Sequence, residues 1–273
     1  MHAAGAHGRC ARLVLVVALM VVATACGPKL PSLPTGTGSA FPEYATAYHQ
    51  AVEACRGVRT FAAVLAIAGR AAGQRFPRAN IDAGFEAPDK AMLELPAPGR
   101  PIFTFVASGH SSTLILARDG RVLEGAPPAD TLEALTGIRL GPADLRAIIT
   151  GCGFGSGEPT GGRTYAGGTA SIDAGDVVSY LARRDDRWHL IAASRGPWEV
   201  FYDEFAAGRP AAVRLVSGPD ASRGHRGRTD LRIRLSQVDI NQPIDARAFS
   251  PEIPAAAKPI TLDELRQAGP LGR

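Results

Sequence analysis

From Phe61 to Leu123 the chain repeats one short rhythm of apolar run, turn signal and apolar run. Residues 61–72 are apolar and uncharged until Arg70, and residues 74–86 alternate at Asn80-Ile81-Asp82-Ala83. Residues 90–95 end in Pro96-Ala97-Pro98-Gly99, and residues 102–106 end in Ser108-Gly109-His110. Residues 113–117 run into Asp119-Gly120, a strong hairpin dipeptide, before Arg121-Val122-Leu123. A parallel pair needs a crossover of a dozen or more residues, usually helical, and none fits between these runs. The pattern is therefore an antiparallel meander, and a doubly wound parallel sheet is excluded.

The rhythm breaks once. Pro128–Thr136 and Pro142–Thr150 read as two short helices, with Gly137 and Gly151 as stops and Pro142 at a first turn. Leu132, Leu135, Leu145, Ile148 and Ile149 give them apolar faces. The glycine-rich residues 151–162 lack a following Lys-Ser/Thr and do not fit G-x-G-x-x-G, so they read as a connector and not as a phosphate loop. Strands resume at 164–172, 177–183, 188–193, 198–203 and 211–217. The clearest strand is 231–235, where apolar and charged residues alternate. Upstream, residues 43–56 read as a helix, with Tyr44, Ala47, Tyr48, Ala51 and Ala54 on one face. Near the C-terminus Thr261 and Glu264 form a capping box for a short helix. The fold class is mainly β (α+β), with an N-terminal helix and a two-helix insertion.

The N-terminus points to export. Arg9 and Arg12 precede ten apolar residues, 13–22, and then Ala23-Thr24-Ala25, the layout of a signal peptide at 1–25. The apolar run is shorter than the roughly 20 residues of a membrane-spanning helix. Cys26 follows the small residues as in a bacterial lipobox, so Cys26 is the expected lipid anchor and new N-terminus. Residues 26–42, rich in Pro, Gly and Ser, read as a semi-extended linker. Cys10 leaves with the signal. Cys55 and Cys152 remain in an oxidising compartment, where they either pair as a disulfide or stay as two buried thiols.

Composition adds exclusions. An apolar share of 45% suits a globular core. The formal charge of +4 includes Arg9 and Arg12, so the exported chain carries little charge with which to recruit an acidic partner. The basic run Arg223, His225, Arg226 and Arg228 is broken by Gly224 and Gly227 and reads as a solvated hairpin loop, with no nucleic-acid binding expected. His49, His110, His189 and His225 show no ligand spacing, and neither H-E-x-x-H nor C-x-x-C occurs, so no metal or other cofactor is expected. Gly153-Phe154-Gly155-Ser156-Gly157 is not a nucleophile elbow, and Asp185-Asp186 reads as a charged turn beside Arg183, Arg184 and Arg187. No enzyme is indicated.

Four segments, in this order, resemble the LolA/LolB superfamily of lipoprotein carriers, closest to the membrane-anchored LolB side. They are Ala68-Gly69-Arg70-Ala71-Ala72, Leu93-Glu94-Leu95-Pro96-Ala97-Pro98-Gly99, the lid-like stretch from Gly137 to Gly151, and Trp198-Glu199-Val200-Phe201-Tyr202. The resemblance implies a curved, antiparallel incomplete β-barrel over residues 43–253, closed by a two-helix lid, with acyl chains held between them. Residues 254–273 then form a C-terminal extension with a short helix. The turn at 96–101 has no Leu or aromatic residue, whereas LolB-type proteins carry there an exposed apolar residue credited with membrane insertion. The resemblance thus implies carriage of lipid more than insertion into a membrane.

Strand alternation selects the inward side chains. Glu94 marks the wet face of its strand, which turns Ala91, Leu93 and Leu95 inward; Arg232 and Arg234 do the same for Leu231, Ile233 and Leu235. Glu199 and Asp203 turn Trp198, Val200 and Tyr202 inward. Phe103 shares a face with Phe105, and Leu114 with Leu116. Of these, Leu93, Leu95, Phe103, Phe105, Leu114, Leu116, Trp198 and Tyr202 form the expected ligand cavity with the five apolar lid residues, about half of the inward set touching ligand and the rest being core. The expected protein is a monomeric, non-enzymatic lipoprotein on the periplasmic face of the outer membrane, whose partners are acyl chains or lipoproteins. The alternative is a structural, protein-binding lipoprotein of an envelope assembly.

Overall fold

The computed structural model describes residues 33–71, 73–155, 157–217 and 229–269. The expected signal peptide, Cys26 and the basic run at 223–228 lie outside the described residues.

A short β1 (Ser39–Ala40) precedes helix α1 (Tyr44–Arg56). Six strands follow as one meander: β2 (Thr60–Ala71), β3 (Gln74–Glu86), β4 (Lys90–Leu95), β5 (Phe103–Ser108), β6 (Ser111–Leu116) and β7 (Arg121–Ala126). Helices α2 (Pro128–Thr136) and α3 (Pro142–Thr150) come next. A second meander runs through β8 (Gly161–Tyr165), β9 (Thr169–Ala174), β10 (Val177–Arg184), β11 (Arg187–Arg195), β12 (Trp198–Ala206), β13 (Arg209–Ser217) and β14 (Asp230–Ile240). The described chain ends with β15 (Lys258–Pro259) and helix α4 (Leu262–Ala268).

The two meanders fuse where β14 pairs antiparallel with β2, Ile233 opposite Ile67. The result is one open sheet in the order β1-β8-β9-β10-β11-β12-β13-β14-β2-β3-β4-β5-β6-β7-β15, and among the described residues no pairing joins its two ends. Every pair is antiparallel except β15 with β7. β7 and β8 are consecutive in the chain but stand near opposite ends of the sheet. The connection between them must cross the sheet, and it carries α2 and α3 over the apolar face. Topology alone thus turns two nine-residue helices into a lid.

Cross-strand register builds that apolar face. Ala63, Ala83, Leu93, Phe105, Leu114 and Leu123 lie opposite one another on successive strands from β2 to β7, and all six are buried. Residues one step along the strands point the other way: Glu94 accepts a hydrogen bond from the Thr104 hydroxyl at 2.8 Å. Ala47, Tyr48, Val52 and Cys55 form the buried face of α1. Its Gln50 side chain accepts from the Trp188 N–H of β11 at 2.9 Å.

Three boundaries differ from the sequence reading. Residues 164–172 are not one strand but the β8–β9 hairpin, turned at Gly167 and Gly168 with φ of +81° and +71°. Two successive residues with positive φ make the tight turn that matches strand twist, and a Gly-Gly pair adopts it without steric cost. The expected linker ends earlier than residue 42: β1 pairs with β8, and Phe41 is buried with its ring 5.4 Å from that of Trp188. The C-terminal extension is part of the fold, since β15 pairs with β7 and both Ile260 and Leu265 are buried in the common core.

Candidate functional site

Between the sheet and the lid lies an apolar cavity of about 100 Å³. The sheet contributes Ile67 from β2, Phe76 and Ile81 from β3, Leu93 from β4 and Phe103 from β5, together with Leu215, Leu231 and Ile233 from β13 and β14. The lid contributes Leu132 and Leu135 from α2, Ile138 and Leu140 from the connection, and Leu145 from α3. Among the described residues Thr136 is the one polar side chain in the lining, and its hydroxyl donates within α2 to the Leu132 carbonyl at 2.7 Å. A second cavity of about 270 Å³ adjoins the first, with Phe103 and Leu135 lining both.

The lid is fastened unevenly. At the end of α3 the buried Tyr202 hydroxyl donates to the Ile148 carbonyl at 2.9 Å and accepts from the Gly153 N–H at 3.0 Å. Burial pushes its pKa well above the usual tyrosine range, so it stays a neutral donor. Cys152, just past α3, is joined in a disulfide to Cys55 of α1, with the Cα atoms 5.6 Å apart. At the start of α3 the Asp144 carboxylate accepts from the Gly141 N–H at 3.1 Å and from Arg195 of β11 at 2.8 Å. Arg146 donates to the Val58 carbonyl at 3.1 Å, and its partial burial lowers its pKa. The first turn of α2 is tied to β6 through the Ser112 and Thr131 hydroxyls, 2.9 Å apart. Arg139, in the connection, pairs with Asp130 and Glu133 of α2.

Removing the Tyr202 hydroxyl tests this fastening. Tyr202→Phe leaves the buried Gly153 N–H without its partner, at a cost of about 2 kcal/mol. A melting temperature lower by roughly 5 °C is expected in a thermal scan.

The structure divides the residues singled out from the sequence. Leu93, Phe103, Leu132, Leu135 and Leu145 line the apolar cavity, and Leu116 lines the second one. Phe105 and Leu114 share the inward face but are wholly buried in the cross-strand ladder. Leu95 sits opposite Phe103, half-buried against the core and outside both linings. Ile148, Ile149, Trp198 and Tyr202 pack in the core, where α3 is fastened. Ile67, Phe76, Leu215, Ile138 and Leu140 were not singled out as cavity residues. Ile81 carried a usable signal, lying between Asn80 and Asp82 in an alternating run. Ile67 lies within a run apolar on both faces, so alternation could not select it.

Among the described residues no cluster of His, Cys, Asp and Glu could hold a metal ion, and no helix is long and apolar enough to cross a membrane.

Fold and site define a class: an open antiparallel half-barrel whose two-helix lid encloses an apolar cavity. No protein-family model and no curated protein matches the sequence. Among solved structures the chain is similar to a LolA superfamily protein from Nitrosomonas europaea, at 12% identity over 73% of this chain and 94% of that one, with a TM-score of 0.49. It is also similar to a Vibrio parahaemolyticus domain assigned to the outer membrane lipoprotein-sorting proteins, at 9% identity over 76% and 97%, with a TM-score of 0.45. A third is the lipoprotein LppX from Mycobacterium tuberculosis, at 11% identity over 75% and 98%, with a TM-score of 0.33.

Proposed function

We propose that the protein is a non-enzymatic carrier or acceptor that holds acyl chains beneath its lid. On this reading it is anchored through a lipid on Cys26 and serves lipid or lipoprotein transport in the bacterial envelope, at the periplasmic face of the outer membrane. One observation carries the reading: the space between sheet and lid is lined by apolar side chains, and its one hydroxyl is already satisfied within α2. Among the described residues such a lining offers no free polar group to orient a polar substrate, and it favours a chain of methylenes by about 0.8 kcal/mol for each one buried. The apolar cavity is smaller than the roughly 300–1,000 Å³ of ordinary ligand sites, and the second cavity lies beside it across the buried Phe103 and Leu135. On this reading the lid is down here and lifts to admit the chain. The part this reading requires to lift is the C-terminal half of α2 with the connection at 137–141, since α3 is tied to Arg195 at its start and to Tyr202 at its end.

Leu135→Glu tests this reading. Leu135 lines both cavities, and an unpaired carboxylate there costs several kcal/mol unless the lid stands open. The expected result is a folded variant that co-purifies without the lipid that the wild type retains, read by lipid extraction and mass spectrometry beside a thermal melt. A folded variant with wild-type lipid content would overturn the reading. A wild-type protein free of lipid would favour a protein-binding platform instead.

A further inference from the structure

The second cavity has a different character from the first. Leu116 and Leu265 continue the apolar surface from Phe103 and Leu135, but three charged residues of the β6–β7 turn, Arg118, Asp119 and Arg121, also line it, two guanidinium groups to one carboxylate. α4 covers this cavity, held down by the buried Leu265. Arg121 faces Glu264 of α4 at 3.4 Å, a long contact between partly exposed groups. One Glu264 oxygen is already committed, accepting from the Thr261 N–H at 2.8 Å and the Thr261 hydroxyl at 3.0 Å. Arg118 has no ion-pair partner among the described residues.

We propose that this cavity is the head-group compartment of the acyl site, and that the ligand is an amphiphile with an anionic phosphate or carboxylate head. The inference rests on the acyl-binding reading above and adds the ligand's charge to it. The chain displaces the buried Leu135, which with Phe103 borders both cavities, to enter the apolar one, and the head meets Arg118 and Arg121 in place of the Glu264 carboxylate. A long, exposed pair contributes little, whereas guanidinium groups bind phosphate and carboxylate through short, charge-assisted hydrogen bonds. Exchange of one for the other is therefore favourable once the chain has supplied its own apolar contacts.

The test measures displacement of a fluorescent fatty acid from the purified full chain by palmitate, palmitoyl-lysophosphatidylglycerol, palmitoyl-lysophosphatidylcholine and monopalmitoylglycerol. The two anionic amphiphiles are expected to bind about tenfold more tightly than the neutral glyceride. Arg118→Gln with Arg121→Gln should abolish that preference and leave the neutral ligand's affinity unchanged. Glu264→Gln keeps the capping geometry, since Gln serves the same role, and removes the competing charge. It should tighten the anionic ligands by about two- to fivefold. Inorganic phosphate should not compete at millimolar concentration; if it does, the site takes a free anion and the proposal fails. Equal affinity for anionic and neutral amphiphiles, or a preference that survives loss of both arginines, overturns the head-group compartment while leaving acyl binding intact. No binding of any amphiphile overturns both.

Discussion

Gly69→Ala is expected to yield little folded protein. Gly69 lies in β2 opposite Leu231 of β14, at φ +140°, and a Cβ built there falls 2.1 Å from the Asp230 carbonyl oxygen. The β2–β3 register slips between Ile67 and Gly69, so the strand is displaced here, next to two residues that line the cavity, Ile67 and Ala71. Asp230 cannot easily retreat, because its carboxylate is gripped by Arg214 through two contacts of 2.8 Å. The methyl group must break the pairing that joins the two meanders or force β14 away from β2. A loss of about 3 kcal/mol or more is expected, at the severe end for a single substitution. Soluble yield and the thermal melt of the variant measure it. A melt within a degree or two of wild type would show that the two backbones are not in contact at this point.

Replacing Cys55 and Cys152 together by serine is expected to lower stability by about 2–5 kcal/mol. The disulfide links residues 97 apart in sequence, so the cross-link removes a large loop from the unfolded ensemble. The loop contains the whole first meander and the lid. The melting temperature should fall by roughly 10 °C under non-reducing conditions. Each single serine variant should melt close to the double one, because either change opens the same loop. A double variant that melts with wild type would show that the bridge contributes nothing to stability.

Much of the fold is legible in the sequence because turn chemistry and alternation are local signals. Asp119-Gly120 and Pro96-Ala97-Pro98-Gly99 mark their turns, and Gly137 and Gly151 end the lid helices at the residues expected. The β8–β9 hairpin escapes because its turn glycines, Gly167 and Gly168, sit inside a run that otherwise reads as a strand. The cavity is legible by face but not by depth. Phe103 and Phe105 alternate onto the same side, yet one lines both cavities and the other is covered by the Leu93 and Leu114 it stands between. Which inward residue meets a void depends on how far the lid stands from the sheet, and that distance is set by α3's ties to Tyr202, Cys55 and Arg195. No single strand carries that information. The C-terminal residues escape for a similar reason: one buried leucine, Leu265, decides whether a short capped helix is a tail or part of the core.

An open sheet has two raw edges, and the unpaired amides and carbonyls of an edge strand can template the addition of another molecule. Here two short segments of the same chain occupy part of those positions. Ser39 and Ala40 lie along β8, and Lys258 and Pro259 lie along β7. The outermost residues on the second side are poor templates in themselves: proline has no amide hydrogen to offer, and a lysine repels its own copy. At these positions another molecule could pair with β7 or β8 only by displacing a segment of the same chain.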